Sequence, residues 1–167
     1  MCIRDRDGDE NYHVWAVDPD GARGEESGVP TARDLTPIAG VRAMILSVPK
    51  NAPDLMIVGL NDRDPRFHDV WSVRISTGDR QLLRENSDGM AGWQFDLDGD
   101  LRLAYKTIPG GGAELLRVDL TGYTKLAEST YEESLSPLRF HKDGRHCYVE
   151  TNVGEPDLSD IEDRKLP

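Results

Sequence analysis

All-β is the fold class this sequence predicts, and three observations predict it. Apolar runs alternate with period two, Gly-bearing turns separate them, and the whole pattern recurs along the chain. The first pass reads Val14-Trp15-Ala16-Val17 into Asp18-Pro19-Asp20-Gly21 and returns through Asp34-Leu35-Thr36-Pro37. The second reads Val70 to Gly78 and returns through Gln81-Leu82-Leu83; the third reads Leu115 to Gly122 and returns through Lys125-Leu126. A fourth begins at Leu158-Ser159-Asp160-Ile161. Val17, Val73, Val118 and Ile161 are separated by about 56, 45 and 43 residues, the period of β-propeller blades. The expected architecture is therefore about three four-stranded antiparallel blades of an incomplete propeller ring.

Each repeat divides into two hairpins. In the first, Trp15 and Val17 share a face; in the second Trp71, Val73 and Ile75 do; in the third Leu116, Val118 and Leu120 do. The run Tyr12 to Val17 is apolar on both faces, which suits a strand covered on both sides. The second hairpins align Phe95–Tyr105 with Phe140–Val149, their Asp-Gly turns placing Gly99 and Gly144 about 45 residues apart. In the first repeat the matching turn is broader, Pro49 to Asp54, and leads into Leu55–Leu60. Asn61 to Asp69 is expected to be a blade-to-blade loop braced by its own salt bridges, with a ligand- or domain-facing loop as the alternative. Helical periodicity is not sustained anywhere, and the repeats are placed at about 12–60, 70–107 and 114–152, with another from 158.

The bulk composition narrows the function classes. The chain has 167 residues, a formal charge of -11 and 37% hydrophobic residues, enough for a substantial core. An acidic chain lacks the positive field that phosphate backbones require, so nucleic acid is not an expected partner. No apolar run nears the ~20 residues of a membrane span, and no signal-peptide pattern opens the chain. No membrane partner is expected; the compartment stays open, with the cytoplasm only slightly favoured. Met1-Cys2-Ile3-Arg4-Asp5-Arg6 resembles translated adaptor sequence at the end of an assembled metagenomic fragment. The expected organisation is a non-native segment at 1–6 and a partial propeller at 7–167, truncated at both ends. End blades in such a piece would expose an apolar face, so the isolated chain is expected to be marginally stable.

Motifs with chemistry are few. Asp5-Arg6-Asp7-Gly8-Asp9-Glu10-Asn11 has the flavour of a calcium loop, but Glu10 and Ala16 stand where an EF-hand needs Gly and Glu. Asp96-Leu97-Asp98-Gly99-Asp100 fails in the same way and reads as a turn. His141, His146 and Cys147 span a hairpin without a fourth zinc ligand at a recognisable spacing. Gly110-Gly111-Gly112 lacks the helix that a phosphate cradle needs. No serine stands in G-x-S-x-G, and His13, His68, His141 and His146 have no motif partner. The expectation is no catalytic residue, no cofactor and no metal ligand in this chain.

The motifs between the repeats point further. Asp7-Gly8-Asp9-Glu10-Asn11-Tyr12-His13, Asp34-Leu35-Thr36-Pro37 and Asn61-Asp62-Arg63-Asp64-Pro65 with His68-Asp69-Val70 resemble the N-terminal β-propeller of bacterial prolyl oligopeptidase-family serine peptidases. That group includes dipeptidyl and acylaminoacyl peptidases. The resemblance runs from about Asp7 to Asp160. It implies a propeller capping a C-terminal α/β-hydrolase domain, whose Ser-Asp-His triad cleaves short peptides admitted through the cap. The implied partners are that hydrolase domain and short peptide substrates. None of the triad positions lies in this sequence. The alternative from another class is a piece of a non-enzymatic propeller that serves as a protein-binding scaffold, because fold alone does not fix function.

Overall fold

A computed structural model describes residues 2–4, 8–25, 27–154 and 160–166. Leu158 and Ser159, the first residues of the fourth repeat, lie outside these, as do Asp5 to Asp7 of the first acidic motif. Every regular element among the described residues is a β-strand, and no helix there is long and apolar enough to cross a membrane.

The strands fall into four antiparallel sheets that follow one another along the chain. The first holds β1 (Cys2–Arg4), β2 (His13–Val17) and β3 (Ala32–Asp34). The second holds β4 (Ala43–Ser47), β5 (Leu55–Asp64), β6 (Phe67–Arg74) and β7 (Arg80–Arg84). The third holds β8 (Gly92–Phe95), β9 (Leu101–Thr107), β10 (Ala113–Val118) and β11 (Tyr123–Ser129). The fourth holds β12 (Leu135–Phe140), β13 (His146–Thr151) and β14 (Asp160–Lys165). Within each sheet the spatial order is the chain order, so every connection is between neighbours.

Hydrogen bonding runs out of phase with the sequence repeat. Each four-stranded sheet joins the second hairpin of one repeat to the first hairpin of the next. A period fixes spacing but not the point at which one sheet ends, so bounds such as 12–60 divide strands that pair. The stretch Asn61 to Asp69 shows the consequence. It is not a blade-to-blade loop: β5 continues to Asp64, turns, and returns as β6 from Phe67, with Asp64 opposite Phe67. The register shifts between Leu60 and Asp64, which marks a bulge. Asn, Asp and Pro are depleted in strands, which is why this extension reads as a loop in sequence.

Two further points concern residues 2–4 and Leu120. Residues 2–4, set aside above, pair with β2 through Cys2, Ile3 and Arg4; backbone pairing uses groups that any sequence carries. Leu120 does not share the buried face of Leu116. Its strand ends at Val118, the next residues turn with Asp119 N–H bonded to Gly122 O at 3.2 Å, and Leu120 is fully exposed.

The chain divides into two compact units, residues 1–48 with 52–86, and residues 49–51 with 87–167. In the first unit, Val14, Leu35, Val41, Ala43, Met56, Val58, Leu60 and Val73 form one buried cluster. Ile57 is buried too, so β5 is covered on both faces from Met56 to Leu60. In the second unit the cluster is Leu103, Leu115, Leu135, Phe140, Cys147 and Val149. The Asp-Gly turns behave as the sequence predicts: Gly99 and Gly144 adopt φ of 88° and 65°, values that only glycine takes without strain. Asp96 organises the first of these turns, its Oδ1 accepting the N–H groups of Asp98 and Asp100.

Candidate functional site

The resembling motifs assemble into side-chain brackets on the first unit. At the start of β2, His13 Nδ1 lies 2.7 Å from Asp34 Oδ2, and Asp34 Oδ1 accepts the Thr36 N–H. Thr36 then accepts the Val14 N–H at its Oγ1. Asp34-Leu35-Thr36 thus ties the strand back onto β2 while Leu35 enters the core.

The second bracket is the β5–β6 extension. Asp69 is buried, and both its oxygens accept from Arg63, at 2.9 and 2.8 Å. Asp69 Oδ1 also accepts the Asn86 N–H at 2.7 Å, and Arg63 reaches the Asn86 carbonyl at 3.0 Å. Burial pushes the Asp69 carboxyl up, but the guanidinium and the Asn86 amide outweigh it and hold the group below the usual aspartate range. At the tip, Arg66 bonds Asp64 through its side chain and its backbone N–H. Those bonds hold the Asp64 carboxyl at about 2. Arg66 also lies over the Phe67 ring, 5.2 Å from its centroid. Asn61 accepts the Arg42 N–H and donates to the Pro65 carbonyl, fixing the bulge. The salt-bridged character expected of this stretch is present, on a hairpin instead of a connector.

This hairpin carries a pH prediction. A folded-state value below 3.8 means that ionised Asp64 favours the fold. Its contribution is complete above that value and is lost as the pH falls through about 2. A carbon-13 titration of the carboxyl groups should place the Asp64 midpoint near 2, with the Arg66 amide shift following it. A midpoint at the ordinary 3.8 would remove the bracket.

On the second unit, His141 and His146 flank the β12–β13 turn. Each directs Nδ1 at Asp143 Oδ2, over 3.2 and 2.6 Å. Cys147 does not join them. It is buried in the core, its thiol is pushed up to about 11 by burial, and its Sγ contacts the Tyr148 carbonyl. The alternation of β13 sends His146 and Cys147 to opposite faces, so neighbours in sequence are separated in space. The third member of this group, Asp143, is not singled out by the sequence motifs, although the Asp-Gly turn spacing sets it between the two imidazoles. Gly110-Gly111-Gly112 turns β9 into β10, with the Ile108 N–H bonded to the Gly112 carbonyl. None of these arrangements is a nucleophile with its base and oxyanion donors.

The chain is similar to dipeptidyl aminopeptidase BIII of Pseudoxanthomonas mexicana, with 34% identity over 157 residues. The match takes in 92% of this chain and 22% of that protein, so the chain spans under a quarter of its relative's length. No family model and no solved structure matches the chain.

Proposed function

We propose that this chain is part of the propeller of a prolyl oligopeptidase-family serine peptidase, where it narrows the path by which short peptides reach the catalytic serine. The observation that carries the reading is the 34% identity to a dipeptidyl aminopeptidase across 92% of the chain. Four consecutive antiparallel sheets in chain order support it, because that is how blades are strung. The repeats at 12–60, 70–107 and 114–152, with another from 158, are on this reading the sequence units of those blades.

The mechanism divides between the chain and its partner. The hydrolase domain supplies acyl transfer: His activates Ser, Asp orients His, and backbone amides hold the oxyanion. This chain contributes no reacting group. Its strands are rigid because both faces of β5 are buried and because Asp34 and Asp69 tie neighbouring segments together. A rigid wall admits flexible peptides and excludes folded proteins by size.

The test is the complete open reading frame and its product. A G-x-S-x-G elbow in a βα pattern after the last blade is expected. The purified product should cleave short peptides and leave a folded protein of the same sequence content intact. A complete frame without the elbow, or a product with no peptidase activity, would overturn this reading in favour of the binding scaffold.

A further inference from the structure

The turn between β12 and β13 is a compact donor set that the peptidase reading does not use. The His141 N–H bonds the His146 carbonyl at 2.8 Å, closing the turn, and Gly144 supplies the left-handed step. Asp143 stands inside it. Its Oδ1 accepts the N–H groups of Arg145 and His146 at 2.8 and 3.1 Å. Its Oδ2 faces a nitrogen of each imidazole. One ligand atom from each of His141, Asp143 and His146 falls within 4.8 Å of the others. The His141 ring meets His146 edge-on at 6.1 Å and Tyr148 edge-on at 6.0 Å, which sets its plane.

We propose that His141, Asp143 and His146 bind one divalent transition-metal ion of the zinc, copper or nickel class. Three features carry this. The donor types, two imidazole nitrogens and one carboxylate oxygen, suit those ions, whereas calcium and magnesium favour all-oxygen sets. The carboxylate is already oriented, since two backbone N–H groups hold its other oxygen; such outer support fixes a ligand before the ion arrives. Both Nδ1 atoms converge on a single oxygen. The Asp143 N–H donates to His141 Nδ1 at 3.3 Å, so this nitrogen already presents a lone pair at the cluster. A cation among the three atoms would be coordinated by all three groups. Three protein ligands leave positions open for water or a further ligand. The set is open to bulk ions: both histidines are partly exposed and Asp143 sits at the surface. Cys147 is excluded by its burial in the core.

Zinc chloride titrated calorimetrically into the 167-residue chain tests the site directly. One ion per chain is expected. His141→Asn and His146→Asn should each weaken binding at least ~10-fold, and Asp143→Asn, which keeps an acceptor for the turn amides, by about 10–100-fold. His13 and His68 remain in these variants, so loss of binding there points to the turn. A Cu2+ electron paramagnetic resonance spectrum of the unaltered chain needs no substitution and should show coupling to two nitrogens. No bound zinc, unchanged affinity in His141→Asn and His146→Asn, or a Cu2+ spectrum without two nitrogens would each overturn the proposal.

Discussion

Met56→Ala is expected to lower the unfolding free energy by about 2–5 kcal/mol, the range for truncating a fully buried methionine to alanine. Met56 is completely buried on β5, in one cluster with Val14, Leu35, Val58, Leu60 and Val73. Val73 lies directly across from it on β6, so the deleted atoms leave a void between paired strands. The covering residues come from β2, the segment after β3, β4 and β6, and strands fixed by hydrogen bonds collapse little to fill such a space. Leu83→Ala is the control. Leu83 is 46% exposed on β7, at the edge of the same sheet, and its loss should cost no more than ~0.5 kcal/mol. Urea unfolding of both variants, followed by far-ultraviolet circular dichroism, decides the matter. Equal midpoints would mean that β5 is not the centre of the first unit's core. For a domain whose total stability is of the order of 5–15 kcal/mol, the larger value approaches complete unfolding.

The strands were legible because their alternation and Asp-Gly turns are local signals. Val14, Trp15, Val73 and Leu116 are buried as the pattern implies. Leu82 and Leu83 look equally apolar in sequence yet stand exposed on an edge strand, because burial depends on which strand lies at the edge of its sheet. The phase of the sheets was not legible for a related reason: a hairpin pairs with whichever neighbour the fold places beside it, and the repeat is silent on that. Asn61 to Asp69 misled through composition. Several of its polar residues find partners locally, Arg63 in Asp69 and Asn61 in the backbone of Arg42 and Pro65, so a strand extension carries residues that ordinarily signal a loop. Candidate chemistry was the least readable. The donor set at the β12–β13 turn has an aspartate where sequence proximity suggested the cysteine, because the alternation of β13 turns Cys147 away from His146.

Asp69→Ala should destabilise the chain by about 3 kcal/mol, at the lower end of the cost of breaking a buried ion pair. The charged partner that remains, Arg63, is 40% exposed, so water can solvate part of the guanidinium once the carboxylate is gone. The remaining cost lies in the backbone. Asn86 is buried, and its N–H donates to Asp69 Oδ1 at 2.7 Å. Taking an acceptor away from a buried amide adds up to about 1–3 kcal/mol. Asp69→Asn separates the two contributions. Its amide oxygen can still accept the Asn86 N–H but no longer offers Arg63 a charge, so it should recover about half of the loss. The same comparison made at pH 2 and pH 6 adds a second readout. Ionised Asp69 favours the fold because its folded-state value lies below the ordinary one, so the gap between the parent chain and Asp69→Asn should shrink as acid protonates the carboxyl. A gap that stays constant over that interval would show that the bracket acts through shape alone. A gap that closes would show that the charge on Asp69 is what holds the β5–β6 extension to the segment that follows β7.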